Sequence, residues 1–78
     1  MNASILIRPS TSSDLAAIRR LAALDDRRPP RGEALLAFLE DDLRAALPLD
    51  GGRPVADPFH RTDELVELLR LRANWGTA

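Results

Sequence analysis

The sequence predicts an α+β domain in which a strand, a helix, a three-stranded meander and a second helix follow one another along the chain. Short apolar runs end at prolines or glycines, which is typical of strands. Two longer stretches repeat apolar residues at helical spacing, and Asp50-Gly51-Gly52-Arg53 is a strong hairpin signal. These observations favour a mostly antiparallel, four-stranded sheet with two helices.

Length and composition exclude several classes of protein. The chain has 78 residues and a formal net charge of −1, so it forms one small domain without the broad basic surface that nucleic-acid binding needs. It has no cysteine and a single histidine, which excludes disulfides and thiolate metal sites. We therefore expect no nucleic-acid partner and no metal.

Chain length and the pattern of apolar residues also predict how the chain assembles and where in the cell it is found. A core of this size rarely supplies more than about 3–5 kcal/mol, so we expect a homo-oligomer or a partner protein. The apolar stretches are short, and the N-terminus lacks a charged segment followed by a long apolar one. We expect neither a membrane span nor a secretory signal, and the expected compartment is the cytoplasm.

The first strand is predicted over residues 4–8, because Pro9 has no N–H and its fixed φ stops the strand. Hydroxyl side chains follow, and Thr11 with Asp14 approximates a capping box. A helix is therefore predicted over 12–25. Its apolar stripe consists of Leu15, Ile18, Leu21 and Ala22.

Three further strands are predicted over 34–39, 43–49 and 53–57. The first of these is a compact apolar run that suits a buried strand, although its length also suits a helix. A tight turn follows it, in which Asp41 or Asp42 has a positive φ.

Prolines indicate which strand lies at the edge of the predicted sheet. Pro48 and Pro54 cannot donate to a strand ladder. The strand over 53–57 is therefore predicted at an edge, where a partner's strand can pair with it. The connection from the strand over 4–8 is long enough for an antiparallel neighbour, and a parallel crossover is the alternative.

The last helix is predicted over 62–74, with Thr62 as N-cap and acidic residues in its first turn. Its apolar residues span more than half of the helix circumference, which is too wide for contact with one sheet. We predict that this surface serves both the core and a dimer interface. The predicted interface residues are Leu65, Leu68, Leu69, Leu71 and Trp75.

Ile7-Arg8-Pro9, followed by a Ser/Thr stretch and Asp14, resembles the opening of the GNAT superfamily of acyl-CoA N-acyltransferases. The order of elements is similar to the N-terminal two-thirds of that fold, and the likeness covers nearly the whole chain. Pro58 and Arg61 match a proline and an arginine that precede a glycine-rich turn in the superfamily. The resemblance implies that this turn binds the diphosphate of acetyl-CoA.

If acetyl-CoA binds as the resemblance implies, Val55, Ala56 and Asp57 hold its pantetheine arm through their backbone, and Arg61 with Thr62 holds phosphate. Other residues depart from the family pattern: Thr62, Glu64 and Val66 stand where small residues are expected. Their side chains crowd the turn, and Glu64 adds negative charge. We expect the fifth strand of the family to be absent, and these 78 residues include no tyrosine to act as general acid.

Two groups of residues suggest chemistry more weakly. His60 with Asp57 and Asp63 is a weak candidate for a metal site or a general base, because only one imidazole exists. Ser12 or Ser13 with His60 suggests a nucleophilic pair, but no strained elbow motif surrounds either serine, and a capping role is favoured.

A cluster of arginines is the remaining signal. Arg27, Arg28 and Arg31 are candidates for bidentate binding of a carboxylate or phosphate. Acidic neighbours flank them, so a self-neutralised, solvated loop is favoured.

We therefore predict a small, degenerate GNAT-like domain that acts as a non-catalytic interaction module and self-associates. No catalytic residue and no cofactor are assigned. The alternative is an acetyl-CoA-dependent N-acetyltransferase whose cofactor site is residual or is completed by a dimer.

Overall fold

The computed structural model describes residues 4–76, with side chains through residue 74. Its elements are β1 (Ile5–Pro9), a 3-10 turn (Ser12–Asp14), α1 (Leu15–Leu24), β2 (Ala34–Leu39), β3 (Asp42–Pro48), β4 (Val55–Ala56) and α2 (Asp63–Gly76). The strands form one antiparallel sheet in the order β1-β2-β3-β4. The predicted α+β class is confirmed, and β1 is antiparallel to its neighbour.

An ion pair holds the corner between β1 and α1. Arg8 donates to both carboxylate oxygens of Asp14 at 2.8 Å, and Asp14 also accepts the amide of Thr11 at 2.7 Å. These hydrogen bonds, first from Arg8 and then from Thr11, hold the pKa of Asp14 well below its ordinary value. The guanidinium of Arg8 also lies 4.8 Å above the ring of Phe38. The predicted capping box is present.

The acidic residues between β2 and β3 form a two-residue turn. Glu40 and Asp41 have φ of 51° and 74°, and the strands meet at the pair Leu39 and Asp42. Positive φ at both central residues matches the right-handed twist of the hairpin strands. Of the two predicted candidates, Asp41 takes the positive φ and Asp42 belongs to β3. The helical alternative for 34–39 is wrong.

The connection between β3 and β4 differs from the sequence prediction. The last paired residues are Ala46 and Val55, so the glycines do not close a tight hairpin. Of the two glycines in this turn, Gly51 has a positive φ, of 93°, and Gly52 does not. Asp50 accepts the amide of Gly52 at 3.0 Å instead of facing Arg53 across the turn. The prolines explain the difference: neither Pro48 nor Pro54 can donate to a ladder, which leaves β4 two residues long.

The two helices cover opposite faces of the sheet. One buried cluster lies under α1; it contains Ile18, Leu21, Ala22, Ala34, Leu36, Ala46 and Val55. The other lies under α2; it contains Leu35, Ala37, Ala45, Leu47, Leu65 and Leu69. The main contacts of α1 are with β3 and β4, and those of α2 are with β2 and β3. Leu15 was predicted in the apolar stripe of α1 but is exposed.

Candidate functional site

The residues predicted to hold a cofactor surround the end of β4. Val55 is buried in the cluster under α1, and Ala56 packs against the cluster under α2. Asp57 follows, and its side chain is only 4% exposed. The structure therefore brings these three residues to one place, where the backbone of β4 is the outer edge of the sheet.

The outer edge of β4 is closed by the side chain of Asp25, the residue that follows α1. Asp57 donates its amide inward to the carbonyl of Arg44 at 2.9 Å, so the amide of Ala56, one residue earlier, points away from β3. That amide donates to Oδ2 of Asp25 at 3.2 Å. The same oxygen lies 3.3 Å from Nε of Arg27. The backbone donor that a bound molecule or a partner's strand would use is already taken.

Asp57 is the centre of a hydrogen-bonded cluster at the end of β4. Its Oδ1 accepts the amide of Phe59 at 2.8 Å, and its Oδ2 lies 2.9 Å from Nη1 of Arg44 and 3.0 Å from Nδ1 of His60. Nη2 of Arg44 also lies 3.3 Å from Oδ2 of Asp42. One carboxylate thus connects β3, β4 and the loop that leads to α2.

A β-bulge positions Arg44 for this contact. Ala37 pairs with Ala45 and Phe38 pairs with Leu43, so Arg44 is the extra residue of β3. The bulge also turns Leu43 and Ala45 toward opposite faces of the sheet, although they are two residues apart. The extra residue lets an arginine reach Asp57 from a strand in which the other residues between Asp42 and Pro48 are apolar.

The electrostatics of the cluster favour a structural role for Asp57. Burial raises its pKa, but hydrogen bonds from the Phe59 amide, Arg44 and His60 outweigh that effect and leave the pKa below its ordinary value. Asp57 is therefore a carboxylate at neutral pH with donors on both oxygens. Such a group holds its neighbours in place and is a poor general base.

The predicted chemistry around His60 is only partly assembled. His60 contacts Asp57, as predicted, but within residues 4–76 it makes no hydrogen bond or ion pair with Asp63. In the same range, no group of three or more His, Cys, Asp or Glu side chains could hold a metal ion. Ser13 is hydrogen-bonded to Thr11 at 2.8 Å, which places it at the β1–α1 corner.

The corner that was predicted to bind phosphate contains an exposed and a buried residue. Arg61 is exposed and Thr62 is 8% exposed. The carbonyl of Thr62 accepts the amide of Val66 at 2.9 Å. Asp63 and Glu64 occupy the first turn of α2, where their negative charge compensates the helix dipole that a phosphate would use.

The arginines 27, 28 and 31 do not all line one groove. Arg27 and Arg28 line a groove of about 350 Å³ together with Arg53, which was not among the predicted residues. Arg28 also lines a second groove beside α1, together with Arg31. Asp50 contributes the opposite charge to the first groove.

The predicted interface on α2 needs a correction. Leu65 and Leu69 are buried against the sheet at 4% and 0% exposure, so they belong to the core. Leu68 and Leu71 are exposed, at 38% and 49%. The side chain of Trp75 lies outside the described residues. Helical geometry explains the division, because the sheet covers one stripe of the helix only.

Asp25 and Arg44, the two residues that organise this region, were not among the predicted site residues. Arg44 carried a signal, since it is a single charge between apolar residues of a strand. Asp25 carried none, because its contact with Ala56 joins residues that are far apart in the chain.

The fold and the site define a small α+β domain whose last strand is closed at its edge and fixed by an ion-pair cluster. No protein-family model, no curated protein and no solved structure matches this chain. The GNAT resemblance therefore stays a prediction from the residues that carry it. Among the described residues, neither helix has the length and apolar character needed to cross a bilayer.

Proposed function

We propose that this protein is a small non-catalytic interaction module that self-associates through the outer surface of α2. The observation that carries the proposal is the exposure of Leu68 and Leu71. The sheet is already covered by Leu65 and Leu69, so these two leucines are not needed for the core. Leu68 and Leu71 are three residues apart and therefore neighbours on the helix surface. Covering them with a second copy removes this apolar surface from water.

The charges of α2 favour an antiparallel arrangement of the two copies. Its first half is acidic, with Glu64 and Glu67, and its second half is basic, with Arg70 and Arg72. A two-fold axis at Leu68 brings Glu64 opposite Arg72 of the partner subunit, and the symmetry repeats this pair. A parallel arrangement would place like charges together, which costs free energy. The charges of α2 therefore complement those of a second α2 in the antiparallel arrangement only.

Three observations support a role without catalysis. The outward amide of β4 is bound to Asp25. Both oxygens of Asp57 already accept hydrogen bonds. Glu64 puts a negative charge where a diphosphate would lie in the resemblance. The first and third remove features that binding of acetyl-CoA would need, and the second leaves Asp57 a poor general base.

Charge reversal on α2 tests the proposal. In sedimentation velocity at micromolar concentration, Glu64→Arg and Arg72→Glu each weaken association about tenfold or more, because each creates like-charge pairs. The double variant restores association, since it exchanges the partners of both pairs. Leu71→Glu also weakens association, whereas Leu24→Glu, at an exposed leucine of α1, does not. A double variant that associates no better than the single variants contradicts the proposal.

The second candidate function is an acetyl-CoA-dependent N-acetyltransferase. The antiparallel order β1-β2-β3-β4 followed by α2 favours it, because the resemblance implies this arrangement. Titration calorimetry with acetyl-CoA separates the candidates. We expect no heat of binding from the parent protein. Binding that is lost in Arg61→Glu would instead support the acetyltransferase.

A further inference from the structure

We propose that the open edge of β1 is a second self-association surface, which pairs antiparallel with β1 of another copy around Leu6. The sheet has two edges, β1 and β4. Asp25 closes the edge at β4. At the end of β1, Nη1 of Arg8 donates to the carbonyl of Pro9 at 3.1 Å, but within the described chain nothing bonds to the outward backbone groups of Ile5 or Ile7. The strand is five residues long.

The hydrogen bonds of β1 show which of its groups point outward. At one end Ser4 accepts the amide of Glu40 at 2.9 Å, and at the other Ser10 donates to the carbonyl of Ala34 at 2.7 Å. In an antiparallel ladder such pairs recur at every second residue. The even-numbered residues of β1 therefore bond to β2. The N–H and C=O groups of Ile5 and Ile7 point away from the sheet.

The side chains beside this edge are apolar. Ile5 and Leu6 are 45% and 53% exposed, although they belong to a strand. Natural proteins protect sheet edges with charges, prolines or bulges. In β1 such residues are confined to the C-terminal end, where the charge of Arg8 is paired with Asp14 and Pro9 ends the strand. The edge at Ile5, Leu6 and Ile7 has neither a charge nor a proline, so it is a template for another strand.

A second copy of β1 fits the edge in one register. With the two-fold axis at Leu6, Ile5 lies opposite Ile7 of the partner subunit, and each pair exchanges both backbone hydrogen bonds. Ser4 then lies opposite Arg8 of the partner subunit, so no like charges meet. A shift of the axis to Ile7 would instead place Ile5 opposite Pro9, which has no N–H to donate.

This contact does not use the surface of α2, so the two proposals stand or fall separately. Each contact is two-fold and joins the same patch of two copies. Because the two contacts use different patches, together they link more than two copies. Blocking one of them leaves dimers that are held by the other.

Cysteine crosslinking tests the β1 contact, because the natural chain has no cysteine. At the two-fold axis the Leu6 residues form a non-hydrogen-bonded pair about 4.5 Å apart between Cα atoms, within the range of a disulfide. Under mild oxidation Leu6→Cys should crosslink about ten times faster, or more, than Leu15→Cys. Leu15 is the matched control, since it is 51% exposed and lies outside β1. Equal rates for the two variants overturn the proposal.

A second measurement avoids covalent capture. Leu6→Lys places like charges opposite each other at the axis, so it lowers the average mass in sedimentation, whereas Leu15→Lys leaves the mass unchanged. The Leu6→Cys experiment is repeated with Leu71→Glu. Crosslinking that persists there supports the β1 contact whatever happens to α2. If the average mass falls with Leu71→Glu but not with Leu6→Lys, the α2 contact is supported and the β1 contact is overturned.

Discussion

The carboxylate of Asp25, just beyond the end of α1, accepts the outward amide of Ala56 in β4 at 3.2 Å. This contact connects the helix on one face of the sheet to the edge strand, and it satisfies a backbone donor that would otherwise be open. Because the donor is occupied, a second strand or a cofactor arm must displace Asp25 before it can use this edge. The contact therefore limits which surfaces of the domain bind partners.

Removal of the Asp25 carboxylate should free the edge of β4. In Asp25→Ala we expect the amide of Ala56 to exchange with solvent about three to ten times faster, because an average hydrogen bond contributes about 1 kcal/mol. Hydrogen exchange followed by NMR measures this directly. Asp26→Ala is the neighbouring control and should leave exchange at Ala56 unchanged. Unchanged exchange in Asp25→Ala would mean that the contact is not made in solution.

The Asp57 cluster should contribute strongly to stability. Asp57→Ala leaves Arg44 partly buried without its main partner, and we expect a loss of about 3 kcal/mol in the free energy of unfolding. Asp57→Asn keeps an acceptor for the Phe59 amide and should cost less. Urea denaturation measures both. A double-mutant cycle with Arg44→Met isolates the ion pair; additive effects would show that the two residues do not interact.

Stability should fall in acid. The pKa values of Asp14 and Asp57 are lowered in the folded protein, so the unfolded chain binds protons first as the pH falls below about 4. Their contribution is complete above the unfolded pKa and is lost as the pH falls toward the folded values. Urea unfolding between about pH 6 and pH 2.5 tests this.

A matched pair of variants assigns the acid effect to the corner between β1 and α1. Asp14→Asn should flatten the decline in stability, because this carboxylate then no longer titrates. Glu33→Gln makes the same change at an exposed residue and should retain the slope of the parent. Equal slopes in all three proteins would contradict the assignment.

The division of the leucines of α2 can be tested by truncation. Leu69 is fully buried, so Leu69→Ala should lower the free energy of unfolding by about 3 kcal/mol. Leu24→Ala, at a leucine that is 42% exposed on α1, should change it by about 0.5 kcal/mol or less. Thermal and urea unfolding give both values. Similar losses in the two variants would mean that Leu69 is not part of the core.

Local signals predicted most of the fold. Pro9 marked the end of β1, the Thr11–Asp14 capping box marked the turn into α1, and the acidic stretch marked the tight turn between β2 and β3. Each of these signals acts over a few residues, so the sequence alone reveals it. The order of strands and helices follows from them, whereas the antiparallel placement of β1 was one of two alternatives that the sequence left open.

Features that depend on distant contacts were missed. The glycines at 51 and 52 predicted a tight hairpin, but the flanking prolines shortened β4 more than the turn signal indicated. The bulge at Arg44 could not be predicted, because it is a shift in the pairing of β3 with β2 and leaves no mark in the residue types of β3 alone. The closure of β4 by Asp25 joins two parts of the chain that only the folded protein brings together.

Sedimentation equilibrium of the unmodified protein at micromolar concentration tests the account most directly. One chain has a mass of 8.6 kDa. We expect an average mass of at least twice that value, which falls toward a single chain when Leu71→Glu and Leu6→Lys are combined. A mass of one chain for the unmodified protein across the concentration range would contradict it.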